Sequence, residues 1–157
     1  RDSSLAAWDV LGSGGITSAT LVTFDSKKVL AVVSPGSSSL TMRSKNAIPC
    51  RAGDVFKGNG AMQLAVGTTL DTFQAKMEFF DDVGTSLGTF PVSANYSITA
   101  ALADTTLPNY TAGNARWMST EAFRAVAPKN AASVKLLIFL SNPNGTVYLS
   151  RLRLFRG

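Results

Sequence analysis

The segment "LADTTLPNYTAGNARW", residues 102–117, gathers more recognition chemistry than any other stretch of the chain. It places a carboxylate at Asp104, amides at Asn109 and Asn114, a phenol at Tyr110 and a guanidinium at Arg116 in one polar run. An aromatic ring offers an apolar face, and the polar groups around it supply hydrogen bonds, the combination that orients a ligand in a binding site. Catalytic chemistry is missing its partners. With no histidine and a single cysteine, Cys50, neither a Ser-His-Asp nor a Cys-His arrangement can form, and thiolate or imidazole metal clusters are excluded. Asp81 and Asp82 are neighbours, which on a strand point to opposite faces, and the Val-Gly after them marks a turn. Glu78 and Glu121 are isolated in the sequence, so no candidate pair presents itself for glycosidic hydrolysis, which needs two carboxylates about 5–9 Å apart. "GSGGIT", residues 12–17, lacks the lysine of a phosphate loop. The chain reads as non-catalytic and free of cofactors, with Cys50 beside Pro49 as a small apolar filler.

A polar loop of this kind needs a rigid frame, and the frame reads as strands. In "FRAVAPKNAASVKLLIFL", residues 123–140, Pro128 lacks an N–H and holds Ala127 extended, so a helix would break there. Beyond the turn, Val134, Leu136, Ile138 and Leu140 alternate with Lys135, Leu137 and Phe139, which is strand periodicity. "SNPNGT" then suits a reversal with positive φ, and "VYLSRLRLFR" resumes alternation with Tyr148, Ser150, Leu152 and Leu154 on one side. A closing hairpin is the expectation. Upstream, "AKMEFFDDVGTSLGTFPV" reads as strand, turn and strand, and "IPCRAGDVFKGNG" as two short extended pieces about a Gly-Asp turn. Residues 20–24, 29–33 and 39–42 are further strands, while "SLAAWDVL" suits a helical turn or a strand. Short strands with no long helical period indicate an all-β sandwich.

The length of 157 residues bounds the chain to one domain, 1–157, with a real core. Its abrupt start at Arg1 reads as a piece of something longer. Its longest uninterrupted apolar run, residues 136–140, is far below the roughly 20 residues that cross a bilayer, so no membrane insertion is expected. The net charge of +5 fits an anionic polymer or simple solubility. Arg151, Arg153 and Arg156 alternate near the end, and Arg43, Lys45 and Arg51 lie close in sequence. A solvated strand face is the plainer reading of such a stripe.

The order of local motifs resembles that of the jelly-roll carbohydrate-binding modules attached to bacterial glycosidases and to some phage tail spikes and fibres. Trp8 precedes the strands, "IPCRAGDVF" resembles the family's Gly-Asp turn, and "AKMEFFDDVGTSLG" resembles its strand ending in Phe-Phe-Asp. "RWMSTEAFRAVAPKNAASVKLLIF" with "GTVYLSRLRLFR" carries the resemblance furthest. It implies an all-β jelly-roll β-sandwich of two antiparallel sheets that binds a polysaccharide or surface glycan without catalysis. The setting it implies is extracellular or on a virion surface, as the receptor-binding or assembly domain of a tail spike or fibre. The module of a secreted polysaccharide-degrading enzyme and a viral coat-type jelly roll are the alternatives, and nucleic acid is not an expected partner. Asp104, Asn109, Tyr110, Asn114 and Arg116 then become the glycan-binding set, joined by Trp117 at a family tryptophan position. Leu137, Phe139 and Leu149, with Val147 and Phe155, are expected to face outward and to form a contact patch, in the resembled proteins a homotrimer interface.

Many members of this family carry an aspartate in the final strand that binds a structural calcium, and Ser150 stands at the matching position. A neutral hydroxyl is a poor ligand for a hard cation. Chelation with EDTA is therefore expected to leave the melting temperature unchanged. A drop of several degrees, reversed by calcium, would contradict this.

Overall fold

The computed structural model describes residues 7–11, 18–24, 27–36, 39–65, 67–70, 72–90, 96–97, 118–119 and 123–157. Among them the strands are β1 (Trp8–Leu11), β2 (Ser18–Phe24), β3 (Lys27–Pro35), β4 (Leu40–Ser44), β5 (Ile48–Pro49), β6 (Val55–Leu64), β7 (Thr72–Phe80), β8 (Ser86–Phe90), β9 (Tyr96–Ser97), β10 (Met118–Ser119), β11 (Phe123–Val126), β12 (Ser133–Ser141) and β13 (Asn144–Arg156). No α-helix occurs among the described residues. "SLAAWDVL" resolves as a strand from Trp8 onward.

Two antiparallel sheets form. One runs β1-β4-β12-β7-β8, with β5 added on β12 and β9 on β7, and the other runs β10-β6-β13-β3-β2, with β11 added on β6. The aliphatic strand β12 occupies the centre of the seven-stranded sheet, and Val134, Leu136, Ile138 and Leu140 all enter the core, as their alternation predicts. From the six-stranded sheet Leu30, Val32, Phe56, Met62, Leu64, Val147 and Leu149 meet them. Phe56 and Phe79 stack edge-on with ring centroids 6.0 Å apart, and Phe79 meets Phe90 in the same way at 5.7 Å. Each fully buried aliphatic or aromatic side chain contributes about 1.5–3 kcal/mol, so this shared layer holds the sheets together.

The turns obey their local chemistry. Asp81 Oδ1 accepts hydrogen bonds from the amides of Val83 (3.1 Å) and Thr85 (2.7 Å), and Gly84 sits at φ 88°, closing a true hairpin between β7 and β8. The expected closing hairpin does not form. β12 belongs to the seven-stranded sheet and β13 to the six-stranded one, so the chain crosses from sheet to sheet at Asn142, whose φ is 48°. Asn144 and Gly145 already lie within β13, where Asn144 exchanges backbone hydrogen bonds with Thr69, each 2.9 Å. Gly145 sits at φ 115° beneath Thr68, and a Cβ there would come within 2.5 Å of Thr68 Oγ1. Asn-Gly thus serves close backbone packing, not the reversal itself.

A second departure concerns which side chains of β13 face outward. The register against β6 runs from Ser150 opposite Ala61 to Arg153 opposite Asn59, so β13 carries one extra residue. Such a bulge switches the inward parity. Val147 and Leu149 point inward before it, at 0% and 1% exposure, and Leu152 and Leu154 pack on the core after it. The expectation that Val147 and Leu149 face outward is therefore corrected, while Phe155 does face solvent at 42% exposure. Leu137 lies on the outer face of its sheet yet is buried, and Phe139 is half-buried, so the terminal strands present no broad exposed apolar patch among the described residues.

Deleting Arg151 removes the extra residue and leaves every leucine of β13 on its present side, so the unfolding free energy is expected to change by no more than about 1 kcal/mol. Deleting Lys135 from the regular strand β12 would reverse the faces of Leu136 through Leu140, and a loss of more than about 3 kcal/mol is expected. Urea unfolding of both variants checks this, and equal losses would contradict the bulge's role.

Candidate functional site

Each sheet presents an outer face, and the two differ in kind. On the seven-stranded sheet Arg43 of β4 and Glu78 of β7 flank β12 and meet across it, with Nη1 and Oε2 3.3 Å apart. Ser86 Oγ donates to Glu78 Oε1 at 2.8 Å. The Arg43 guanidinium and the Lys135 ammonium lie 5.4 and 5.7 Å from the centre of the Phe80 ring, close enough for cation–π attraction. Glu78, solitary in the sequence, is thus the hub of a polar network. Arg43 Nε has no hydrogen-bond partner of its own, but the charge it belongs to is already paired.

The outer face of the six-stranded sheet is built otherwise. Tyr148 of β13 stands between Gln63 of β6 and Ala31 of β3 in register, and Ala31 pairs in turn with Thr20 of β2. This row alternates with the core-facing residues and so points away from the core. Even so, Gln63 is 1% exposed, Ala31 5% and Val29 0%. The face is sheltered without being part of the hydrophobic core. Gln63 Oε1 lies there buried and without a hydrogen-bond partner. A buried orphan acceptor costs about 1–3 kcal/mol, and its retention calls for a group that satisfies it. Tyr148, half-buried, and Ser150, next along the same face, add a ring and a hydroxyl beside it.

Farther along the same face, Arg124 of β11, Lys57 of β6 and Phe155 of β13 form a second row, with Arg153 diagonal to Lys57. All four are exposed. Two carboxylates elsewhere in the described chain are occupied. Asp54 accepts from the Arg51 amide at 2.9 Å and pairs with Arg156 at 3.1 Å, and Asp81 holds its turn. Of the arginine stripe at the chain end, Arg156 is therefore tied to Asp54, with its guanidinium 5.7 Å from the Phe56 ring centre, and Arg153 stands clear. Of the upstream basic residues, Arg43 is paired.

Cys50 is buried at 7% exposure. Burial first, then the nearby Asp54 carboxylate, push its thiol pKa above the ordinary value, with Arg156 opposing. A thiol held protonated in this way is not a nucleophile. Among the described residues no group of three His, Cys, Asp or Glu side chains is placed to hold a metal ion.

Of the residues marked by the sequence, Asp104, Asn109, Tyr110, Asn114, Arg116 and Trp117 lie outside the described residues. Trp8 is in the core. Gln63 and Tyr148 escape sequence reasoning. Gln63 shares its strand with Lys57 and Asn59 and nothing in the pattern singles it out, and alternation alone places Tyr148 on the core side because the bulge leaves no mark in the pattern.

No family model matches the sequence, and no curated protein does. Solved structures do share the fold. The chain is similar to the enzymatically active domain of tailspike protein 4 of bacteriophage CBA120, with a TM-score of 0.64 and 16% identity over 99% of this chain and 20% of that one. It therefore spans about a fifth of that tailspike chain. It is similar also to the xylan-binding CBM22-1 domain of Paenibacillus barcinonensis Xyn10C, with a TM-score of 0.64 and 11% identity over 99% of this chain and 88% of that one. A CBM28 module specific for non-crystalline cellulose gives 0.62 and 12%, covering 98% and 90%. At these identities the likeness is one of fold, and the chain has the jelly-roll β-sandwich of carbohydrate-binding modules.

Proposed function

We propose that the chain is a non-catalytic carbohydrate-binding module whose ligand lies on the outer face of the six-stranded sheet. The observation that carries this reading is Gln63, an amide 1% exposed whose oxygen has no partner, in register beside Tyr148 on a face turned away from the core. Gln63 Oε1 is covered within the chain; once the covering atoms move aside, sugar hydroxyls are donors that satisfy it, and the apolar face of a pyranose ring stacks on a phenol. The shared fold with xylan- and cellulose-binding modules supports the same ligand class. The absence of histidine and the structural employment of Glu78, Asp54 and Asp81 support a role without catalysis.

The polar loop with Asp104, Asn109, Tyr110, Asn114, Arg116 and Trp117 belongs to the same proposal as a second contributor to the site. The likeness to a tailspike domain favours a parent of that kind, exposed on a virion or outside the cell; homotrimeric assembly enters the proposal from the family resemblance alone, with half-buried Phe139 as its candidate contact, since Leu137 is buried within the single chain.

Affinity electrophoresis through gels containing soluble xylan, hydroxyethylcellulose or bacterial surface polysaccharide tests binding directly. For a retained polymer, Gln63→Leu is expected to weaken retention by about 1 kcal/mol or more while leaving stability equal or higher, since it removes a buried orphan acceptor. Tyr110→Ala is expected to lose a similar amount, as one aromatic stack. Gln63→Leu protein that binds normally would refute the placement of the site.

A further inference from the structure

Charge is divided between the two sheets. The strands of the seven-stranded sheet carry Asp9 and Glu78 beside Arg43, Lys76 and Lys135, whereas those of the six-stranded sheet carry no Asp or Glu at all. They carry Lys27, Lys28, Lys57, Arg124, Arg151, Arg153 and Arg156 instead. Of these, Arg124 and Lys57 sit directly opposite each other on the outer face, and like charges in that relation destabilise a sheet. Arg153 lies diagonally across from Lys57, two residues along β6 from its own partner Asn59. Lys57, Arg124 and Arg153 are exposed, and no ion pair reaches them among the described residues. A counter-anion near such a group would relieve its repulsion.

Phe155 completes the row. It pairs with Lys57 and is 42% exposed, so an aromatic face stands one strand away from Lys57 and two from Arg124. Strands lie about 4.8 Å apart, close to the length of one sugar ring. The row Arg124, Lys57, Phe155 is therefore spaced to hold acidic groups on one ring while stacking on the next. Guanidinium forks take carboxylates in bidentate fashion. From Gln63 to Lys57 is six residues of β6, about 20 Å along the same face, a distance that one polymer bridges.

We infer that the ligand is an acidic polysaccharide bearing uronate carboxylates, which runs along β6 and β13 from the Gln63–Tyr148 pair to the cationic row of Lys57, Arg124 and Arg153. The inference rests on the carbohydrate-binding reading and adds the ligand's charge and direction. A nucleic acid would also seek cations, but Gln63 and Tyr148 on the same face suit sugar hydroxyls, and the cations gather at one end instead of tracking a phosphate backbone.

Isothermal titration with polygalacturonate, neutral xylan and duplex DNA tests it, using this chain and two variants. Lys57→Gln/Arg124→Gln/Arg153→Gln removes the row, and Lys45→Gln/Lys76→Gln removes charge from the region of the other sheet. Polygalacturonate is expected to bind more tightly than xylan or DNA, to weaken about tenfold between roughly 50 and 300 mM salt, and to lose about tenfold or more in the triple variant only. The triple variant's melting temperature should stay near that of the parent, since all three residues are exposed. Binding of xylan with none of polygalacturonate would overturn the acidic ligand and leave the carbohydrate reading standing. Comparable losses in both variants would show an effect of net charge and overturn the placement. Tighter binding of DNA would make this a nucleic-acid surface. Failure to bind either glycan would remove the underlying reading together with the inference.

Discussion

One extra residue in β13 governs what both faces of the six-stranded sheet present. The strand runs thirteen residues, from Asn144 to Arg156, and crosses the core beside β6 and β3. Its apolar side chains fall at Val147 and Leu149, then at Leu152 and Leu154, two sets of opposite parity. A regular strand would turn one set into solvent at a cost of about 1.5–3 kcal/mol for each fully exposed leucine. The bulge between Ser150 and Arg153 lets both sets face the core. Tyr148 and Ser150 consequently share the outer face with Arg153 and Phe155, so a ring and a hydroxyl at one end are continuous with cations and a second ring at the other.

That outer face differs from its counterpart in how its polar groups are satisfied. Arg43, Glu78, Ser86, Lys135 and Phe80 answer one another across β12, which leaves little unspent attraction for a ligand. On the six-stranded sheet an amide oxygen is buried without a partner and three exposed cations lack carboxylates among the described residues. Unsatisfied groups of this kind reduce stability, and proteins retain them where binding compensates. The asymmetry between the sheets is the basis of the proposed division: one face consolidates the sandwich, and the other carries the groups proposed to meet a ligand.

Much of the frame is legible in the sequence because it rests on local rules. The break at Pro128, the alternation of Val134, Leu136, Ile138 and Leu140, and the Asp81–Gly84 turn each arise from the covalent chemistry of a few neighbouring residues, and each appears in the structure. Sequence reasoning fails where geometry is set by partners distant in the chain. Asn144–Gly145 looks like a hairpin turn until Thr68 and Thr69 are brought over it. The parity of β13 depends on its register with β6, some ninety residues earlier in the chain, as Ser150 opposite Ala61 illustrates, so alternation alone puts Val147 and Leu149 on the wrong face. Gln63 gives no signal in sequence, since its meaning lies in being buried alone. The loop of residues 102–117 is marked by composition, and its part in the site stays a proposal.

The central claim is that the outer face of the six-stranded sheet is a sugar-binding face, and amide chemical-shift mapping by NMR tests it most directly. Titration of the labelled chain with xylohexaose, and separately with an oligogalacturonate, is predicted to shift amides of β6 and β13 around Gln63, Tyr148 and Ser150, extending toward Lys57 and Arg153 with the acidic sugar. The amides of Arg43, Lys76 and Leu137 are predicted to stay in place. Shifts confined to β4, β7 and β12, or none with either sugar, would contradict it.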